Sequence, residues 1–136
     1  MKIEYKKLNQ LLQTYVTRFR LEDWNIEIIK ASKKKSISIG KRVNTVINSD
    51  IYGEAISYPD TKEAIIIIYP NAHRSLKEFE DTIKHELLHI LLSPITEYSS
   101  RYFSINLPKK APTFYRQLHD KEHQIISNQL QFNLRK

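Results

Sequence analysis

The chain has 136 residues, of which 40% are hydrophobic, 10% aromatic and 27% charged, a content that supports one modest core and excludes a disordered or low-complexity protein. It has no cysteine, so disulfides, thiolate zinc sites, iron–sulfur clusters and cysteine nucleophiles are excluded, and any metal must be held by His, Asp or Glu. The 22 basic and 15 acidic residues leave a net charge of +7, which supports weak, salt-sensitive contact with nucleic acid and does not by itself establish a function.

The first residues, Met1 to Lys7, are not followed by an apolar run of signal-peptide length. The longest apolar stretches, Ile65–Tyr69 and Leu87–Leu92, fall far below the roughly 20 residues that span a bilayer, so a cytoplasmic location without a membrane partner is expected. Over Tyr5–Phe19, Leu8, Leu11, Leu12, Tyr15, Val16 and Phe19 recur at three- and four-residue spacing and predict an amphipathic helix. Trp24–Ile28 alternates and predicts a first strand. Lys30–Lys35, with four lysines, reads as a turn or solvated loop, and Ile37–Ile39 as a short strand. Ile51–Tyr58 predicts a further strand, and Pro59-Asp60-Thr61-Lys62 a turn. Ile65–Tyr69 is β-branched on both faces and predicts a central strand.

After Pro70 the apolar period changes to that of a helix. Ser75 is a candidate N-cap with Glu78 completing a capping box, and Phe79, Ile83, Leu87, Ile90 and Leu91 follow at helical spacing. Pro94 is expected to end this helix near Ser93. Residues 94–111 read as a polar, aromatic connection, and Pro112 to about Phe132 as a last helix. The expected class is α+β: one domain over residues 1–136, with an N-terminal helix, a small mostly antiparallel sheet and two further helices.

The second helix contains His85-Glu86-Leu87-Leu88-His89. Residues four apart on a helix lie one above the other, so the two imidazoles can converge on one Zn²⁺. Glu86 stands about 100° round the helix, where its carboxylate does not share the histidines' coordination position but can act as a general base on a water. The chain's own residue frequencies give such a string by chance on the order of once in a hundred such sequences. The plain alternative is a helix whose histidines are satisfied by ordinary hydrogen bonds.

Catalytic zinc normally takes three protein ligands. The candidates lie in Leu118-His119-Asp120-Lys121-Glu122-His123. On a helical wheel Tyr115, Leu118, Ile125, Ile126 and Leu130 form an apolar stripe, and Glu122 falls near its middle, where a lone carboxylate is costly and a metal would relieve it. Glu122 is therefore the favoured third ligand, with His119 and His123 as the other candidates. Asp81, one turn before His85, is either a partner for an imidazole or a helix N-terminal charge. Tyr98, Tyr102 and Tyr115 are oxyanion-stabilising candidates by position, with plain packing as the alternative.

His85-Glu86-Leu87-Leu88-His89 followed by a Glu on a later helix resembles the zincin metallopeptidases of gluzincin type. The layout of helix, small sheet, H-E-x-x-H helix and glutamate helix is similar to the minimal gluzincins and to the ImmA/IrrE-like metallopeptidase domains of phages and mobile elements. The likeness covers Trp24 to Leu130, and only the H-E-x-x-H part is a sharp motif. It implies zinc held by His85, His89 and Glu122, Glu86 as base and proton shuttle, and peptide-bond hydrolysis. Ile90-Leu91-Leu92-Ser93-Pro94 after the second histidine departs from the metzincin pattern. SprT-like proteins would use a third histidine, which His119 or His123 could supply.

The leading expectation is therefore a zinc-dependent peptidase acting on a peptide or protein. The alternative is a zinc-containing binding module that docks nucleic acid or a protein through its basic surface. A retained Glu86 argues against the module, because a purely structural zinc needs no base.

Overall fold

The computed structural model describes residues 1–32, 46–49 and 51–134. The lysines at 33–35, the pair Lys41-Arg42 and the strand expected at Ile37–Ile39 lie outside these residues. In chain order the elements are α1 (Tyr5–Arg18), β1 (Asn25–Lys30), β2 (Val46–Ser49), β3 (Gly53–Tyr58), β4 (Glu63–Ile68), a 3₁₀ turn at Pro70–Ala72, α2 (Leu76–Asn106) and α3 (Ala111–Leu134).

The four strands lie in the order β1-β4-β3-β2. The isoleucine-rich β4 is central, parallel to β1 and antiparallel to β3, which in turn pairs antiparallel with β2. Its period of two sends Ala64, Ile66 and Ile68 to one face and Ile65 and Ile67 to the other. The first face carries the main core. Leu8, Leu12, Tyr15 and Val16 of α1 and Phe79, Ile83, Leu87 and Ile90 of α2 close over Ile28, Ala55, Ile66 and Ile68. The turn expected at residues 59–62 joins β3 to β4. It is closed by Thr61 N–H donating to Tyr58 O at 3.2 Å, with Lys62 in the left-handed region at φ 55°.

Ser75 caps α2 as expected, accepting from the Glu78 N–H at 3.3 Å, while the Glu78 carboxylate reaches back to the Arg74 N–H. The end of α2 differs from expectation. The helix does not stop near Ser93 but runs through Pro94 to Asn106, so most of the stretch read as a connection is helical. Proline lacks the N–H that would bond to the carbonyl four residues back, here Ile90 O. Ser93 Oγ donates to that carbonyl at 2.7 Å and takes the missing partner's place. Arg101 then ties the second half of α2 to the β3–β4 turn, bonding Glu97 one helical turn back and Asp60 at 2.9 Å. The chain reverses over Leu107–Lys110, and α3 folds back along α2, with Phe114 stacked on Phe103 at 3.5 Å between centroids.

The architecture is α+β with a zincin-like layout: an N-terminal helix, a small mixed sheet, the long α2 carrying His85 and His89, and α3 carrying Glu122. Among the described residues no helix is long and apolar enough to cross a membrane.

Candidate metal centre

The face of α2 that carries His85 and His89 looks onto α3, and the helical hairpin brings His123 to the same place. One ring nitrogen from each of His85, His89 and His123 lies within 4.8 Å of the other two. The Nε2 atoms of His85 and His89 are 3.1 Å apart. Two zinc–nitrogen bonds of about 2.05 Å at a tetrahedral angle separate their nitrogens by about 3.3 Å, so this pair already stands at the spacing of one coordination edge. Three imidazoles are a donor set that zinc accepts.

Glu122 is buried, as the stripe on the last helix required, but its partners are not those expected. Its Oε1 accepts from Nδ1 of His89, on the side of the ring away from the Nε2 that faces His85. Its Oε2 lies 2.9 Å from the Thr96 hydroxyl, which donates to it. Burial pushes the Glu122 carboxyl up, but the hydrogen bonds from His89 and Thr96 outweigh it and hold the group below the usual carboxylate range. A carboxylate on Nδ1 fixes that nitrogen as the protonated one and leaves the Nε2 lone pair aimed at the cluster.

Glu86 is buried on the sheet side of α2, beside Gly53 at the start of β3. A Cβ at position 53 would lie 2.7 Å from Ile67 O, 3.3 Å from Thr82 Cγ2 and 3.8 Å from Glu86 Cγ. The contact that demands glycine is the one with the β4 carbonyl, and the Thr82 methyl of α2 crowds the same side, with Glu86 Cγ at ordinary contact distance. Nothing in the strand pattern marked Gly53, although the chain has only two glycines.

The cluster opens beside His85 into a cleft of about 260 Å³ lined by Tyr52, Glu78, Asp81, Thr82, His85 and Leu130. Asp81 thus shares a cleft with His85, and its burial raises its pKa against the pull of Lys84 and Lys77. His119 is exposed and packs edge-on against His123, with centroids 4.4 Å apart. His73, the remaining histidine, is buried elsewhere, with Nδ1 and Nε2 each 2.8 Å from Tyr69 O and Thr82 Oγ1.

The tyrosine candidates are not brought to the cluster. Tyr98 and Tyr102 project from the opposite side of α2 into solvent, and the Tyr115 hydroxyl pairs with Ser104 Oγ at 3.1 Å. Compared with family models, with curated proteins and with solved structures, the chain finds no match.

Proposed function

We propose that the chain is a zinc-dependent peptidase whose metal is held by His85, His89 and His123. The observation that carries this reading is the convergence of three imidazole nitrogens from α2 and α3, with Glu86, the chain neighbour of His85, buried on the sheet side of α2. Glu122 acts through His89: it accepts the Nδ1 proton and so presents Nε2 to the metal. The ligand set is then the three-histidine one of SprT-like proteins rather than the His-His-Glu set of gluzincins, and Glu122 keeps the gluzincin position without the gluzincin role.

Zinc in such a site supplies Lewis-acid polarisation of a carbonyl and an acidified water. The protein's share of the chemistry falls to Glu86. Its carboxylate takes a proton from the attacking water and delivers it to the leaving amine nitrogen. The cleft that His85 lines would admit the substrate, and Glu86, its chain neighbour, is buried and so shielded from bulk water.

The test is elemental analysis together with cleavage of a broad peptide library. The wild type and Glu86→Gln are expected to hold one zinc per chain, and His85→Ala, His89→Ala and His123→Ala to hold none. Cleavage should be chelator-sensitive in the wild type and lost in Glu86→Gln. Zinc binding without cleavage of any substrate, joined to salt-sensitive nucleic-acid binding that Glu86→Gln leaves unchanged, would replace the peptidase by the binding module.

A further inference from the structure

The half of α2 that follows His89 is amphipathic in the reverse sense. Beyond Ile90, which still belongs to the main core, its buried residues are polar: Ser93, Glu97 and Ser100. Its outward face is apolar: Leu91, Ile95, Tyr98, Tyr102 and Ile105 are 41% to 78% exposed. At 100° per residue these five side chains fall within an arc of about 80°, on the side of the helix opposite His89. α3 engages the other side, through Thr96, Phe103 and Ser104.

Single exposed apolar residues are normal on any protein surface. Five in steps of four, three, four and three residues are not scattered, because that is the spacing of a coiled-coil seam. Together they present roughly 600 Å² of apolar surface, the upper end of what a monomer leaves uncovered. The figure approaches the roughly 800 Å² that each partner contributes to a stable interface.

The charge pattern and the area fit a second copy of this chain. Between Leu91 and Asn106 the only charged residues are Glu97 and Arg101, and they pair with each other. The seam is neutral on a chain of net charge +7. The seam itself therefore sets no like charges against each other when two copies meet face to face, and an acidic partner would find nothing here to attract it. The residues flanking the seam, Ser99 and Asn106 on one side and Pro94 and Arg101 on the other, place no unpaired like charges across a two-fold contact.

We propose that Leu91, Ile95, Tyr98, Tyr102 and Ile105 form a self-association seam on which a second copy of this chain docks the same face of its own α2. The contact is isologous: in a parallel pair every seam residue, Tyr98 included, faces its own copy across the two-fold axis, and in an antiparallel pair centred on the seam Tyr98, the middle residue of the five, lies nearest that axis.

Sedimentation equilibrium of the full chain from low micromolar to hundreds of micromolar tests this. The wild type is expected to reach the mass of two chains. Ile95→Lys and Tyr102→Glu, both at exposed positions, should weaken association by at least about tenfold while leaving the circular dichroism unchanged. The lack of cysteine gives a second readout that needs no disruptive change. Tyr98→Cys should form a disulfide-linked dimer under mild oxidation, and Lys121→Cys, exposed on α3, should not. A wild type that stays monomeric throughout overturns the proposal, even if the same face then binds vesicles or another protein. So does a dimer that Ile95→Lys and Tyr102→Glu leave intact.

Discussion

His89 and Glu122 stand 33 positions apart in the chain and meet as a buried pair, with Nδ1 of the imidazole donating to Oε1 of the carboxylate. The bond settles the tautomer of His89 and joins α2 to α3 at the level of the three-histidine cluster. On the proposed three-histidine reading, Glu122 orients His89 rather than binding the metal, and outer partners of this kind are typically worth about 10–100-fold in metal affinity. Glu122→Ala is therefore expected to weaken zinc binding by that factor without abolishing it. It should also destabilise the fold by about 1–3 kcal/mol, because the buried His89 N–H loses its acceptor, while the Thr96 hydroxyl can still donate to Leu92 O at 3.2 Å. His123→Ala should lose zinc altogether, and His119→Ala should keep it. Competition against a chelator of known affinity ranks the three. If Glu122→Ala loses zinc and His123→Ala retains it, the carboxylate is the ligand and the set is the gluzincin one.

The peptidase reading rests on Glu86 and can be separated from metal binding. Gln has the shape and volume of Glu but accepts no proton at neutral pH. Glu86→Gln should hold zinc and fold as the wild type does, and hydrolyse peptides slower by about 10² or more, the usual worth of a general base. Single-turnover cleavage with matched zinc content measures it. Chelator-sensitive hydrolysis at an unchanged rate in the variant would remove Glu86 from the mechanism.

The pairing of His85 with His89 was legible because both lie on one helix, where residue spacing alone fixes direction. The third nitrogen was not. Glu122 and His123 are neighbours about 100° apart on α3 and both reach α2, and which of them turns a donor atom towards the His85–His89 pair depends on how α3 is rotated about its axis. Contacts between the helices set that rotation, among them Phe103 on Phe114 and Ser104 with Tyr115, and no pattern within α3 reports it. The wheel placed Glu122 correctly among buried residues. A buried carboxylate has two remedies, however, a metal or hydrogen-bond donors, and here the donors are His89 and Thr96. Thr96 went unrecognised because Pro94 marked a helix end, and the Ser93 hydroxyl that neutralises Pro94 acts through a local bond that no periodicity carries. The central strand and the α1 face were readable because their apolar periods are long and unbroken. β2, four residues with only Val46 and Ile47 apolar, gave no such signal.

At Gly53 the sheet has little room for a side chain, with β4 and α2 both close by. A methyl group there would sit 2.7 Å from a backbone carbonyl of β4, and a carbonyl within a strand pairing cannot swing aside as a flexible side chain can. Gly53→Ala is expected to cost about 1–3 kcal/mol in urea unfolding, as overpacking does. Because the same methyl presses on Thr82, one turn before Glu86, activity should fall by more than the lost folded fraction explains. A variant of wild-type stability would mean that β3 moves away from α2 freely, and Gly53 would then have no part in seating the base.

Tyr15 and Glu80 provide a pH-dependent tie between α1 and α2 at a distance from the metal centre. The phenol donates to the Glu80 carboxylate, and the ring keeps Lys84 over its face at 4.8 Å. Burial and the neighbouring carboxylate push the tyrosine from 10.0 up to about 12. The bond from Tyr15 holds Glu80 below its ordinary 4.5, with Lys84 assisting and burial opposing. The two shifts have opposite sign. A raised folded pKa gives stability that is complete below 10.0 and disappears as pH climbs to about 12. A lowered one gives stability that is complete above 4.5 and disappears as the carboxylate is protonated. Tyr15→Phe keeps the ring and removes the bond. It should cost about 1.5 kcal/mol at neutral pH, the low end for a hydrogen bond to a charged group, because Glu80 is partly open to solvent. The difference from the wild type should then close on both sides, over the alkaline interval from 10.0 to about 12 and as the acid side falls through 4.5. Urea unfolding of the two proteins across that pH range reads it directly, and a difference that stays constant to both ends would show that the phenol packs α1 against α2 without bonding to Glu80.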